Sequence, residues 1–196
     1  MGRFIGFYDY TVILTYLSLA SAVVGMSFSA RGNFAAAVLC LMLSGLCDAF
    51  DGMVARSKPN RTEDEKAFGI QIDSLCDAVS FGVFPAVLCY HLGCSGVAGI
   101  LCTVLYVLCA VIRLAFFNVM EEKRQKTEDG CNRYYRGLPV TTISMILPPV
   151  YLLRKLMSQR IFGWVLHGLL AVVALLFVLD FRVKKLDIKK LLSAKA

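Results

Sequence analysis

Apolar residues in this chain fall into long unbroken blocks separated by short polar breaks. Six blocks, residues 11–30, 34–55, 70–90, 95–119, 138–156 and 162–181, are each long and apolar enough to cross a bilayer, which takes about 20 residues of helix. The pattern predicts an all-α polytopic membrane protein with six transmembrane helices, a single membrane domain over residues 1–196 with no room for a soluble domain. Two breaks are longer and mixed in charge: 57–68, which contains Pro59 and is read as irregular, and 121–137. Pro85 inside the third block, and Pro148 and Pro149 inside the fifth, are expected to kink their helices, with neighbouring helices supplying the lost hydrogen bond. Small residues at Ser44, Gly45, Gly52 and Ala55 suit close helix approach. No internal repeat or low-complexity stretch is visible.

Composition agrees with the blocks. At 58% hydrophobic residues and a mean hydropathy of +0.66, the chain exceeds the roughly 45–50% apolar content of soluble domains. The first block is read as a span and not as a signal peptide, because its apolar run exceeds the usual core of about 7–15 residues and only Arg3 precedes it. Met1-Gly2 does not continue into a myristoylation pattern, since position 6 is Gly.

The net charge of +7 is read as membrane topology and not as a nucleic-acid surface. With a cytoplasmic N-terminus, the inner segments hold Arg3, Arg56, Lys58, Arg61, Lys66, Lys123, Arg124, Lys126, Arg133 and Arg136, and the tail adds Arg182, Lys184, Lys185, Lys189, Lys190 and Lys195. Only Arg31, Arg154, Lys155 and Arg160 fall outside, with Arg113 inside a helix. The positive-inside rule then places both termini in the cytoplasm of a multi-pass cell-membrane protein, with the basic tail facing anionic membrane lipids. The eight cysteines, Cys40, Cys47, Cys76, Cys89, Cys94, Cys102, Cys109 and Cys131, form no Cys-x-x-Cys pair and have no His at zinc spacing. Packing is their expected role. His91 and His167 are read as interfacial or core residues.

Against this background the second and third blocks are unusual. The second ends Asp48-Ala-Phe-Asp51-Gly52-Met-Val-Ala55-Arg56, and the third opens Gly69-Ile-Gln-Ile-Asp73-Ser-Leu-Cys-Asp77. Spacings of three and four put each acid pair on one helix face. Asp48 lies eight residues before Arg56 and Asp77 eight after Gly69, so both sit about 12 Å along antiparallel helices at 1.5 Å per residue. Asp51 and Asp73 match at about 6–8 Å. The spacing therefore predicts two facing layers of carboxylates, about a third of the way into the hydrocarbon from the cytoplasmic face.

Each such Asp costs about 2.5–3.5 kcal/mol even on the lenient insertion scale, and four together repel. Two divalent cations would cancel the charge. All-oxygen ligands without His or Cys favour Mg²⁺, with Mn²⁺ or Ca²⁺ as alternatives, and two-metal sites suit displacement at phosphorus. Pairing with arginines to brace the bundle is the bland alternative, but Arg56 and Arg113 are too few to neutralise four acids. Gly52 and Ala55 leave a slot beside the acids where a nucleotide could approach the backbone, and Arg56 is placed to meet a phosphate. Each of these three is weak evidence alone.

The run Asp-x2-Asp-Gly-x2-Ala-Arg followed by Gly-x3-Asp-x3-Asp, over residues 48–77, resembles the signature of the CDP-alcohol phosphotransferases. The gap of twelve residues between Arg56 and Gly69 is longer than is usual there, and a cytoplasmic excursion is the expected consequence. The resemblance implies six transmembrane helices, a homodimer, and displacement of CMP from a CDP-linked lipid or alcohol. It makes Asp48, Asp51, Asp73 and Asp77 the metal ligands and Asp77 also the base that takes the acceptor hydroxyl's proton. Asp48, Gly52, Ala55, Arg56 and Gly69 would line the CDP pocket.

Arg113-Leu-Ala-Phe-Phe-Asn118 and Gly137-Leu-Pro139-Val resemble segments of bacterial phosphatidylserine synthases, although Phe116 stands where those carry a second Arg and a Pro-Asn in the first span is missing. This implies transfer of a phosphatidyl group from CDP-diacylglycerol to L-serine, with Arg113 and Asn118 at the acceptor. Arg113 could instead pair with a lipid phosphate or a loop acid. The rival acceptors are glycerol 3-phosphate and an inositol phosphate, for which Arg133 and Arg136 would supply cations. A cation-coupled transporter is the rival from another class, but such sites usually lie at the midplane between repeated halves.

Overall fold

A computed structural model describes residues 6, 10–56, 62–126 and 134–184, with the side chains of 11, 53, 55–56, 123–126, 134–136 and 182–184 left outside that description. A 3₁₀ turn, Tyr10–Val12, leads into α1 (Ile13–Ala30), followed by α2 (Phe34–Arg56), α3 (Glu63–Asp77), a π-helical turn (Ala78–Val83), α4 (Phe84–Leu92) and α5 (Gly96–Lys126). A short strand β1 (Tyr134–Arg136), a 3₁₀ turn (Val140–Thr142), α6 (Ile143–Leu152), a second 3₁₀ turn (Leu153–Leu156), α7 (Gln159–Val178) and strand β2 (Arg182–Lys184) complete the order. The chain is an all-α polytopic membrane protein. Its only sheet among the described residues is the three-residue antiparallel ribbon in which Tyr135 faces Val183, tying the segments that follow α5 and α7 together at one face.

Among the described residues five helices are long and apolar enough to cross a membrane: α1, the first nineteen residues of α2, the continuous run Glu63–Leu92, α5 through Glu122, and α7. The remaining expected span, 138–156, is helical in three pieces. Gly137 (φ +69) and Pro139 delay its start, and the helix tightens to 3₁₀ after passing through Pro148 and Pro149. Two polar breaks are shorter than the hydropathy pattern implied. Helix α3 begins at Glu63, not near residue 70, because Thr62 and Glu65 form a reciprocal capping box. Three acids in its first turn also suit the helix dipole. Helix α5 continues through Lys126, so the expected loop 121–137 is helical over its first six residues. Residues 57–61 and 127–133 lie outside the described residues.

Helices α1 and α2 form a tight antiparallel hairpin through the turn at Gly32, where Asn33 Oδ1 accepts from Ala36 N at 3.3 Å. Ser18 and Ser44 exchange hydrogen bonds across it, each hydroxyl donating to the other's carbonyl, at 3.2 and 2.8 Å. Ser21 Oγ donates to Cys40 O at 2.9 Å. Small residues make this approach possible, as expected for Ser44 and Gly45: Gly45 abuts Ser144 of α6, and Gly25 abuts Phe84 and Cys40. The core these helices enclose is built from Leu41, Phe81, Phe84, Leu88, Ile143 and Leu166, all fully buried. The seven described cysteines are free thiols, with Cys89 and Cys94 in the core and Cys40, Cys102 and Cys109 packed against it, and Cys131 lies outside the described residues. His91 lies at the end of α4, bonded to Ser29 Oγ, and His167 lies mid-way along α7 among apolar neighbours, bonded to Gly163 O.

Close approach at Gly25 predicts a sharp contrast between two glycines. Gly25→Ala pushes a methyl group into Phe84 and Cys40 and should destabilise by about 1–3 kcal/mol. Gly168→Ala in α7, where an added Cβ meets nothing within 4 Å, should be neutral or stabilising. Thermal unfolding in detergent, followed by reaction of the buried thiols, reads both. Equal Tm values for the two variants would contradict this packing.

Candidate metal and phosphoryl-transfer site

The four aspartates come together between α2 and α3. One carboxylate oxygen from each of Asp48, Asp73 and Asp77 lies within 4.8 Å of the other two, close enough for one cation to touch all three. Asp77 is buried and the other two are half-buried. Asp51 is not part of that triad. Its carboxylate stands beside Asp73 and accepts a hydrogen bond from Thr15 Oγ1 of α1 at 3.2 Å. Asp48 stands beside Asp77 in the same way. The acids thus meet as the two pairs that helix-end counting indicates, with Asp51 offset toward α1.

Among the described residues no basic side chain pairs with Asp48, Asp73 or Asp77; the ion pair between Lys66 and Glu63 lies on the exposed first turn of α3. Asp73 Oδ1 is buried without a hydrogen-bond partner, an arrangement that buried polar atoms seldom tolerate. A convergent set of carboxylate oxygens, an orphaned oxygen among them and no pairing cation among the described side chains together fit a hard divalent metal.

The other expected residues whose side chains are described lie on α2, α3 and α5. Gly52 and Gly69 are half-buried on α2 and α3, while the side chains of Ala55 and Arg56 lie outside the described residues. Asn118 of α5 reaches α3, where its Oδ1 accepts from Ser74 Oγ at 2.6 Å and its Nδ2 makes a long 3.5 Å contact with Gln71 Oε1. It is therefore tied to the residue next to Asp73. Arg113 is buried on α5, and its Nη2 donates to Gly137 O at 3.3 Å. Gly137 N donates to Phe181 O at 2.6 Å. A Cβ at Gly137 would stand 3.0 Å from Arg113 Nη1, so the glycine answers both to its positive φ and to the guanidinium beside it. Arg133, and the side chain of Arg136, lie outside the described residues. Thr15, Ser74 and Gln71 were not singled out by sequence; the available signal was a hydroxyl or amide within an apolar block, which spacing alone does not rank.

Comparison with known proteins covers most of the chain. A family profile described as CDP-alcohol phosphatidyltransferase matches residues 10–179. The chain is 38% identical over 117 residues to a CDP-diacylglycerol–serine O-phosphatidyltransferase of Saccharomyces cerevisiae, covering 58% of this chain and 41% of that protein. It is 35% identical over 141 residues to the archaetidylserine synthase of Methanothermobacter thermautotrophicus, covering 71% and 56%. With a CDP-diacylglycerol–serine O-phosphatidyltransferase of Bacillus subtilis it shares 34% identity over 122 residues, covering 61% and 66%. The match thus spans less than two thirds of each of these relatives. No solved structure matches the chain.

If Thr15 orients Asp51, Thr15→Val should weaken Mn²⁺ binding by about tenfold, the lower end of losses seen when a ligand's hydrogen-bond partner is removed. Asp73→Asn should abolish it, and Asp77→Asn, whose amide keeps a ligand oxygen, should only weaken it. Titration of purified protein followed by Mn²⁺ electron paramagnetic resonance measures all three, and unchanged Mn²⁺ affinity in Asp73→Asn would remove the triad as a metal site.

Proposed function

The chain belongs to the CDP-alcohol phosphatidyltransferase family, and on that premise we propose that it transfers a phosphatidyl group from CDP-diacylglycerol to L-serine, releasing CMP and forming phosphatidylserine. The observation that carries this reading is the convergence of Asp48, Asp73 and Asp77, in a chain whose relatives' names all give serine as acceptor or in the product. Those names agree on serine and differ in the lipid, so support for the acceptor is firmer than support for the donor's hydrophobic part.

In the reaction, the serine hydroxyl oxygen bonds to the β-phosphorus, the bond from that phosphorus to the bridging oxygen breaks, and CMP departs with the electron pair. Two divalent cations, Mg²⁺ or Mn²⁺, held by Asp48, Asp51, Asp73 and Asp77, would supply electrostatic stabilisation of the attacking and leaving oxygens. Asp77 accepts the hydroxyl proton as general base. Gly52, Ala55 and Gly69 admit the cytidine moiety close to the helix backbones, with Asp48 and Arg56 beside it. Arg113 keeps Gly137 in place with one nitrogen and offers its remaining donors to the serine carboxylate. Asn118 fixes α3 against α5 at the same level. The basic bias of the inner segments supports a multi-pass cell-membrane protein with both termini and the site on the cytoplasmic side, and we propose a homodimer as its assembly.

Purified protein given CDP-diacylglycerol, Mg²⁺ and a panel of acceptors should release CMP with serine, stop with EDTA and resume with Mg²⁺ or Mn²⁺. Release with glycerol 3-phosphate or an inositol phosphate but not serine would overturn the acceptor assignment and turn attention to Arg133 and Arg136. In the same assay Asp77→Asn should lose kcat while retaining CDP-diacylglycerol binding. Arg113→Ala should raise the serine KM roughly 10- to 150-fold, the equivalent of a charge-assisted hydrogen bond of about 1.5–3 kcal/mol. Arg113→Lys should also be impaired, having lost the planar fork. Loss of donor binding in the Arg113 variants would reassign this residue to the lipid phosphate.

A further inference from the structure

Directly after Asp77 the helix widens into the π-helical turn Ala78–Val83, and Phe84 N donates five residues back to Val79 O. Widened turns of this kind hold one residue more than an α-turn and concentrate at functional sites. Two features keep it from closing. Pro85 has no N–H, so Phe81 O cannot receive the bond that an α-helix would give it from four residues on. Instead, Tyr106 Oη of α5 donates to Phe81 O at 2.7 Å. Tyr106 is fully buried and its ring lies against Phe177, with centroids 5.5 Å apart. One helical turn further along α5, Ala110 lies where a Cβ on Gly82 would touch it at 3.6 Å. The π-turn is therefore held from outside by α5.

We infer that Tyr106 is a positioning residue for the proposed reaction, which holds the π-turn open and so sets the direction in which Asp77 faces Asp48. The inference rests on the reading of Asp77 as metal ligand and base. The physical reason is rotation. Phe84, Leu88 and Leu92 above the turn are locked in the core, whereas Asp73 and Asp77 below it must face α2. Closing the π-turn to regular α-helix removes one residue from the turn and rotates one half against the other by roughly 100°. Without the Tyr106 hydroxyl, Phe81 O would lose the donor that stands in for the missing Pro85 N–H, and the segment would relax toward a geometry that replaces it.

Three variants of the full chain in detergent separate positioning from simple stabilisation. Tyr106→Phe keeps the ring and its packing and removes only the donor. Pro85→Ala adds an N–H able to bond Phe81 O within an α-turn, and the double variant combines the two. Wild-type protein must first release CMP with serine, which tests the proposed function independently of Tyr106. Given that, Tyr106→Phe should lower kcat about 10- to 100-fold, the loss expected from sub-ångström to ångström misplacement of a reacting group. Its KM for serine and for CDP-diacylglycerol should stay within twofold, and Mn²⁺ binding should weaken. Pro85→Ala should lower kcat with no fall in Tm. The double variant should recover Tm, because the carbonyl has a donor again, but not kcat or Mn²⁺ affinity. Recovery of kcat and Mn²⁺ affinity together with Tm in the double variant would show that Tyr106 merely satisfies a carbonyl. Wild-type kcat in both single variants would equally overturn the inference.

Discussion

Four carboxylates held within the apolar part of a helix bundle set the terms for the rest of this molecule. At 4.8 Å, two ionised carboxylates repel by about 3–4 kcal/mol at an effective dielectric of about 20. That is comparable with the cost of placing a single Asp at mid-membrane, and the triad contains three such pairs. No hydrogen bond from a neighbouring hydroxyl offsets this, since interhelical side-chain bonds in membranes average only about 0.6 kcal/mol. A divalent cation would, and it would remove repulsion and orphaned oxygen together. The bundle's task is then to hold α2 and α3 at one separation and one rotation. Neighbouring helices brace each of the two: Thr15 and Ser18 of α1 bond Asp51 and Ser44 of α2, and Asn118 of α5 bonds Ser74 of α3.

Much of this was legible because a membrane imposes a simple grammar. A polar backbone in hydrocarbon must satisfy itself, so long apolar blocks can only be helices, and an acid inside one stands out. Counting residues from the helix ends pairs Asp48 with Asp77 and Asp51 with Asp73, because rise per residue is nearly constant. What was less legible depends on hydrogen bonds that hydropathy does not see. The capping box at Thr62 starts α3 two turns before the apolar block begins. Helix α5 outlasts its apolar stretch into charged residues, where nothing in the sequence stops it before Lys126. Pro85 signalled a perturbation, and the expectation that a neighbouring helix would supply the missing bond holds through Tyr106. The form of that perturbation, a π-turn and not a bend, depends on what α5 presents to it.

Two of the expected acceptor residues show why spacing identifies a neighbourhood more readily than a contact. Arg113 and Asn118 are five residues apart on α5, so they point in different directions around it. Asn118 faces α3 and is engaged with Ser74 and Gln71. Arg113 faces the Gly137 turn, where its guanidinium takes up space a side chain at 137 would need. Asn118 thus braces α3 beside Asp73, whereas Arg113 braces the turn at Gly137, so their removal should disturb different parts of the bundle.

Helix α5 resolves the competing demands of membrane and site by dividing its surface. Leu101, Leu105, Leu108 and Ile112 are largely exposed on one side, as lipid-facing residues are. On the other side, Tyr106, Ala110, Arg113 and Leu114 form a buried stripe at helical spacing. That stripe meets, in order, the carbonyl freed by Pro85, the backbone at Gly82 and the turn at Gly137. Each contact falls on a segment whose backbone departs from regular helix. Irregular backbone survives at membrane depth only where protein buries it and satisfies its polar groups. The π-turn beside Asp77 and the opening of the fifth span can therefore both exist because one face of α5 supplies what those segments cannot supply themselves.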